Sequence, residues 1–441
     1  MGGGGRKGKT CQASLDVSRI NGKEIVSQLL KLAKITEAPE PAVTRVLFTD
    51  KDMQARKYVK QLMTDAKLQI REDAMGNIFG RWLGSDKAAA VVQTGSHVDA
   101  IPMAGAYDGT LGVVGAIAAV KGLQTAGFKP RKPIEVIMFT SEEPTRFGLG
   151  CIGSRGMAGT LTAKVLDEKV DVNGTTFQEA ATAAGYGGKS HEDILSQTLV
   201  KKGSVAAFVE LHIEQGPLLE REGLNLGIVS AIAAPAALRM TFFGNGGHAG
   251  ALLMPDRKDA SLAAAELALV VEKVVLGTDS IDTVGTSGSW AIKPNTLNAV
   301  PWEAKLEIDI RDINGPRRDA VVSTVLKTAE TIAKRRQMTH QVEMINQDPP
   351  ATCSDQVVAA AEQAAKQLGA STKHLVSRAY HDSLFMAQIA PTGMIFIPCR
   401  NGWSHRPDEY SSPEDIERGV KALALTLSQL AGGATDSNSE L

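Results

Sequence analysis

Short apolar runs, each closed by a histidine or a carboxylate, set the rhythm of this chain. The segments AAAVVQTGSHVD, PIEVIMFTSEE, VAAFVELHIEQ and TGMIFIPCRNGWSH are short apolar runs that read as buried strands. Between them lie helical stretches, such as the Ala- and Gly-rich 112–125. From residue 20 to about 226, strands alternate with helices, which predicts a parallel sheet with crossover helices. The pattern then changes. A strand (LRMTFFG), a helix at 259–276, strands near 281 and at 304–310, and a helix at 316–336 form an α+β unit with apolar faces of its own. After Pro349 and Pro350 the first rhythm resumes, with a helix at 355–368, a strand at 394–398 and a helix at 412–430.

The expected fold is therefore α/β. A catalytic domain with a mostly parallel sheet and helices on both faces takes residues 19–226 and 341–433, and a smaller α+β domain is inserted at 227–340. Residues 1–18 and 434–441 are expected to be disordered tails. No internal repeat is evident.

Composition narrows the class. The hydrophobic share is 43% and the charged share 22%, as in soluble globular proteins, and the net charge is -1 with acids and bases interspersed. No nucleic-acid or membrane partner is expected. Cys11, Cys151, Cys353 and Cys399 have neither paired nor zinc-type spacing and read as free thiols. No apolar run reaches transmembrane length, and MGGGGRKGKTCQAS has no apolar stretch behind its basic residues, so no signal peptide is visible. The compartment stays open.

In an open α/β sheet, ligands bind beyond the carboxyl ends of the strands. The strand-end residues His97, Asp99, Asp108, Glu142, Glu143, His212 and His405 would then converge. Three imidazoles with several carboxylates are the ligand set of a two-metal hydrolytic centre. His97 and Asp99, two apart, share a face, so the Asp99 carboxylate can hold the far N–H of the imidazole. Asp108 stands just before a helix, where it would either cap the N-terminus or bridge two cations; beside His97-x-Asp99 the bridge is favoured. Glu142 and Glu143 close a very apolar strand, where adjacent carboxylates are costly without cations or a shared proton. Glu143 is assigned as a ligand and Glu142 as the general base. His212 and His405 complete the set, with Trp403 as a wall. GNGGHAG has the spacing of a dinucleotide loop, but the next helix starts too late to meet a pyrophosphate, so the glycines shape a loop presenting His248. Arg311, in DIRD, is equally a surface ion pair or a clamp on a substrate carboxylate.

Together these motifs resemble the M20-type dinuclear metallo-amidohydrolases over nearly the whole chain. ELHIEQGP, GNGGHAG and MPDRKDA look like the ureide branch, and SRAYHDSLFMAQIAPTGMIFIPC with SHRPDEYSSPED looks closest to plant ureidoglycolate amidohydrolases. The resemblance implies two divalent ions, with manganese usual and zinc, cobalt or nickel also compatible with the donors. It implies His97, Asp108 and His212 around one ion, and Asp108, Glu143 and His405 around the other. Asp99 would orient His97, Gln215 and His381 would contact substrate, and Arg311 would bind its carboxylate. The inserted domain would be a lid and dimerisation domain. His248 and Asn298 would reach the partner subunit's site in a homodimer. Plant relatives belong to the secretory pathway, so the endoplasmic reticulum is compatible.

Where allantoate enzymes typically carry Gly, this chain has Tyr380, immediately before His381. A phenol there would fill the space of a second ureido arm and could bond a hydroxyl, which favours ureidoglycolate. The expected reaction is hydrolysis of the ureido C–N bond of (S)-ureidoglycolate to glyoxylate, ammonia and carbon dioxide. Allantoate or N-carbamoyl-amino-acid (β-ureidopropionase-type) hydrolysis is the nearest alternative. A metallopeptidase is more distant, and a metal-dependent scaffold without turnover is the non-enzyme alternative.

Overall fold

The computed structural model describes residues 15–435. Within them the chain divides into two compact units. One runs to Ile228 and takes in Ser354–His374 and the chain from Phe385 on; the other is Val229–Cys353 with Leu375–Leu384.

The first unit is built on a mixed sheet. Its central strands, Thr392–Ile397, Val205–Ile213, Val91–His97 and Ile134–Phe139, are mutually parallel in that order. Val91–His97, Ile134–Phe139 and Thr392–Ile397 are buried at every position, and Val205–Ile213 at all but Ala206, as befits parallel strands covered on both faces. The flanks are antiparallel. Leu226–Ile232 pairs with Thr392–Ile397 on one side, and Ile78–Trp82 followed by Gln69–Glu72 extends the other. The latter two form a hairpin whose turn is closed by the Asp73 carboxylate on the N–H groups of Met75 and Asn77. So short a connection cannot return a strand parallel. The alternation that predicted parallel pairing holds at the centre of the sheet and not at its edges.

Helices cover both faces. Thr110–Thr125 and Pro413–Ala431 pack on one, in a core that includes Leu111, Val114, Leu211, Ile395 and Leu423. Ser412 caps the second helix by accepting from the Asp415 N–H, with Pro413 at its first position. The opposite face carries Phe79, Ile137, Phe139 and Phe208, and Met157 of the helix Ile152–Ala158 packs there.

The second unit is a four-stranded antiparallel sheet in the order Val284–Lys293, Glu303–Asp312, Ala234–Phe243, Thr339–Gln347. Glu303–Asp312 alternates buried and half-buried residues. Leu306, Ile308 and Ile310 face the helices Ala260–Leu276 and Gly315–Arg335, and Lys305, Glu307, Asp309 and Arg311 face away. The insertion ends later than expected, at Cys353 rather than 340, because Thr339–Gln347 is an edge strand of its sheet.

Both expected tails are too long. Val17 is buried in the first unit's core, and Gly433–Thr435 pairs with Phe128–Pro130. Residues 1–14, with Cys11, and 436–441 lie outside the described residues. Cys151, Cys353 and Cys399 are buried thiols. Among the described residues no helix is long and apolar enough to cross a membrane.

Candidate metal centre

The seven strand-end residues are all in the first unit, and their side chains meet. His97 ends the strand Val91–His97, and His212 is the penultimate residue of the neighbouring parallel strand Val205–Ile213. Their rings lie 6.4 Å apart at 28°. The Nδ1 of His97 bonds the Asp99 carbonyl at 2.9 Å, and that of His212 the Ile213 carbonyl at 2.9 Å. A carbonyl only accepts, so each Nδ1 carries a proton and each Nε2 is turned to Asp108.

Asp108 divides its carboxylate. Oδ1 lies 3.2 Å from His212 Nε2 and 3.6 Å from His97 Nε2, while Oδ2 lies 3.5 Å from His405 Nε2. It makes no helix cap; Gly109 occupies that position without a side chain to contribute. Gly109 has φ +64, and a Cβ there would sit 2.3 Å from His97 Nε2, so only glycine lets the chain pass the imidazole. Beyond Asp108, Glu143 Oε1 is 3.1 Å from His405 Nε2. Two donor groups result, His97–Asp108–His212 and Asp108–Glu143–His405, each with its ligand atoms within 4.8 Å of one another, and Asp108 belongs to both. Mixed imidazole and carboxylate donors with a shared carboxylate fit a pair of divalent cations. Glu142 stands outside both groups. Its Oε2 faces His97 Nε2 at 3.6 Å, and its Oε1 lies 3.8 Å from the Cys151 thiol.

The electrostatics agree with a cation cage. Burial lowers the pKa of His97, but Glu142, Asp108 and Asp99 outweigh it and hold the value well above 6.5. Burial raises Asp108, but His212 and His97 outweigh it and hold the carboxyl well below 3.8. The bond to Glu143 lifts His405 to about 9. The cluster thus gathers protons where a cation would otherwise sit.

One expected role changes hands. The Asp99 carboxylate does not hold His97; its nearer oxygen is 3.7 Å from Nδ1, and the backbone carbonyl makes that bond instead. The carboxylate accepts the N–H groups of Glu142, at 3.3 Å, and Glu143, at 3.0 Å. The same segment is held from the other side by the N–H groups of Cys151, Ile152 and Gly153, which bond the carbonyls of Glu142, Ser141 and Thr140. Burial raises the Asp99 carboxyl to about 6.

Two residues here were not singled out from sequence, Ser404 and Glu409. Glu409 is buried, and burial followed by the Asp108 charge lifts it to about 7. Glu409 lies four residues beyond His405, and no local pattern distinguishes it from a loop acid. Gln215, at φ +55, donates to Asp108 Oδ2 at 2.7 Å, and its buried Oε1 has no hydrogen-bond partner among the described residues.

The other expected substrate residues lie in the second unit. Arg311 makes a double ion pair with Asp309, at 3.0 and 2.9 Å, two positions away on one strand face, and donates to the Arg378 carbonyl. Tyr380 donates to Asp348 at 2.9 Å, and His381 is buried with Nε2 2.9 Å from Ser377 Oγ. His248 is exposed on a two-residue bridge to Ala299, next to Asn298, whose carbonyl accepts from Ala249.

The family model for peptidase family M20/M25/M40 matches residues 94–429. Ureidoglycolate hydrolase of Arabidopsis thaliana is 55% identical, over 92% of this chain and 86% of that protein. N-carbamoyl-L-amino acid amidohydrolase of Geobacillus stearothermophilus is 40% identical, over 94% of this chain and 100% of that one. Solved structures of AtUAH, in complex with (S)-hydroxyglycine and with glyoxylate, match with TM-score 0.87 at 52% identity, over 94% of this chain and 100% of theirs.

Proposed function

The chain belongs to peptidase family M20/M25/M40, and we propose that within it the chain is an amidohydrolase that cleaves the ureido C–N bond of (S)-ureidoglycolate. The observation that carries the chemistry is the divided Asp108 carboxylate, with one oxygen toward His97 and His212 and the other toward His405. Two divalent ions held there, manganese by preference, would supply Lewis acidity toward the ureido carbonyl and a lowered pKa for the attacking water.

The protein's own share is positioning and proton transfer. Glu142 Oε2 faces the cluster while Oε1 is turned to Cys151, so Oε2 takes the proton from water. The water oxygen bonds the ureido carbon, the bond to the terminal nitrogen breaks, and Glu142 returns the proton to that nitrogen as ammonia leaves. The remaining N-carboxy amine loses carbon dioxide to give hydroxyglycine, which eliminates ammonia to give glyoxylate. These two species are the ones bound in the AtUAH complexes. The unpartnered Gln215 Oε1 is an acceptor suited to a ureido N–H. Arg311 would exchange Asp309 for the substrate carboxylate, and His381 would contact substrate. Tyr380 would reject a second ureido arm. A homodimer, with His248 and Asn298 completing the partner's site, is part of the same proposal and rests on the family resemblance.

The test is a side-by-side assay of ureidoglycolate, allantoate and an N-carbamoyl amino acid with added Mn2+, on the wild type, Glu142→Gln and Tyr380→Gly. Ureidoglycolate should dominate, and Glu142→Gln should bind metal yet lose about 100- to 10,000-fold in turnover. Tyr380→Gly should gain allantoate turnover. Preference for a carbamoyl amino acid, or near-normal turnover by metal-loaded Glu142→Gln, refutes the assignment.

A further inference from the structure

Glu409 makes a set of contacts that ordinary packing does not explain. It is 5% exposed, and among the described residues no lysine or arginine pairs with it. Its Oε1 accepts the backbone N–H groups of Tyr107, at 2.7 Å, and Asp108, at 2.9 Å. Its Oε2 faces Ser404 Oγ at 3.2 Å, and the same hydroxyl bonds Asp108 Oδ2. One carboxylate therefore ties together the segment that carries Asp108 and the loop that carries His405. The chain makes room for it at Gly105, where a Cβ would lie 2.3 Å from Glu409 Cβ and 2.5 Å from its Oε1.

A buried carboxylate without a lysine or arginine partner is expensive, and a neutral amide could accept the same two N–H groups at less cost. The charge makes sense if it faces cations one residue away. We infer that Glu409 is a positioning residue for the metal pair: through the Tyr107 and Asp108 amides and Ser404 it fixes the bridging carboxylate, and its charge helps retain the cations without ligating them. This rests on the reading of the cluster as a two-metal centre.

The experiment is calorimetric titration of Mn2+ into the metal-free full-length protein, for wild type, Glu409→Gln, Glu409→Ala and Ser404→Ala. Metal-free melting temperature, kcat and KM at saturating Mn2+ are measured alongside. Glu409→Gln, which keeps the shape and drops the charge, should melt like wild type when metal-free, bind Mn2+ about 10- to 100-fold more weakly, and recover turnover in excess Mn2+. Glu409→Ala should lose kcat that excess metal does not restore. If that variant fails to fold, Glu409→Gln and Ser404→Ala carry the test, the latter with a smaller loss of affinity. A Glu409→Gln protein that titrates like wild type, or whose lost affinity only tracks lost metal-free stability, overturns the inference alone. A wild type that binds no cation overturns it together with the metal reading.

Discussion

At the scale of single residues, identity and role separate. Asp99 is where the spacing puts it, yet its carboxylate serves Glu142 and Glu143 while its backbone carbonyl serves His97. Spacing specifies that two groups are close, but not which oxygen a donor selects. His405 shows what a metal-free cluster does with its protons. The Glu143 bond raises its pKa from the ordinary 6.5 to about 9. A raised folded pKa means a contribution to stability that is complete below 6.5 and lost as pH rises through about 9. The side chain is 47% exposed, so the contribution is small. In metal-free protein, the melting-temperature gap between wild type and His405→Gln should be present near pH 6 and should close near pH 10; a constant gap contradicts the pair. Because a ligating imidazole must be neutral, Mn2+ binding near neutral pH should also release a proton that His405→Gln does not release, seen as buffer-dependent heat.

At the scale of elements, the centre is a product of parallel strands ending together. His97 and His212 come from adjacent parallel strands, and Glu142 follows the next one, so their side chains reach one place without long loops. That convergence was legible in the sequence because each run reads as a strand that closes on histidine or carboxylate. The connections were less so. The short helices between residues 152 and 198 were not anticipated, and the turn of Cys151 to Gly153 that holds Glu142 is made by backbone groups, which carry no sequence signature. Gly109 marks a tight point in the centre, where the chain turns from Asp108 into its helix. Gly109→Ala would combine a left-handed backbone with a collision on the His97 ring. It should cost on the order of 1–3 kcal/mol in urea unfolding of the metal-free protein and lower Mn2+ uptake as well. A variant that matches wild type in both measurements would show that the ring moves freely.

At the scale of the whole molecule, the residues proposed for metal binding and those proposed for substrate binding fall in different units. The metal centre is internal to the first, and Arg311, Tyr380, His381, His248 and Asn298 belong to the second. If His248 acts across a dimer, two dead proteins should repair each other. Glu142→Gln and His248→Ala, mixed so that subunits exchange, produce a mixed dimer in which one site combines an intact Glu142 with an intact His248. Random exchange should return about a quarter of the wild-type site activity. Mixing that gives no more than the sum of the two variants argues that each site is complete within one chain.

By itself the sequence determined the class of fold and the chemical inventory of the centre. Both are local: apolar runs with polar ends make buried strands, and histidine and carboxylate at those ends admit few chemistries. Only the tertiary structure decided how the inventory is deployed. The split of Asp108 between two imidazole sets, the turn of Asp99 toward the glutamates and the strap of Glu409 all join residues distant in sequence; Glu409 and Tyr107 are 302 positions apart. Such bonds depend on angles and distances set by packing, to which no residue pattern in the chain corresponds.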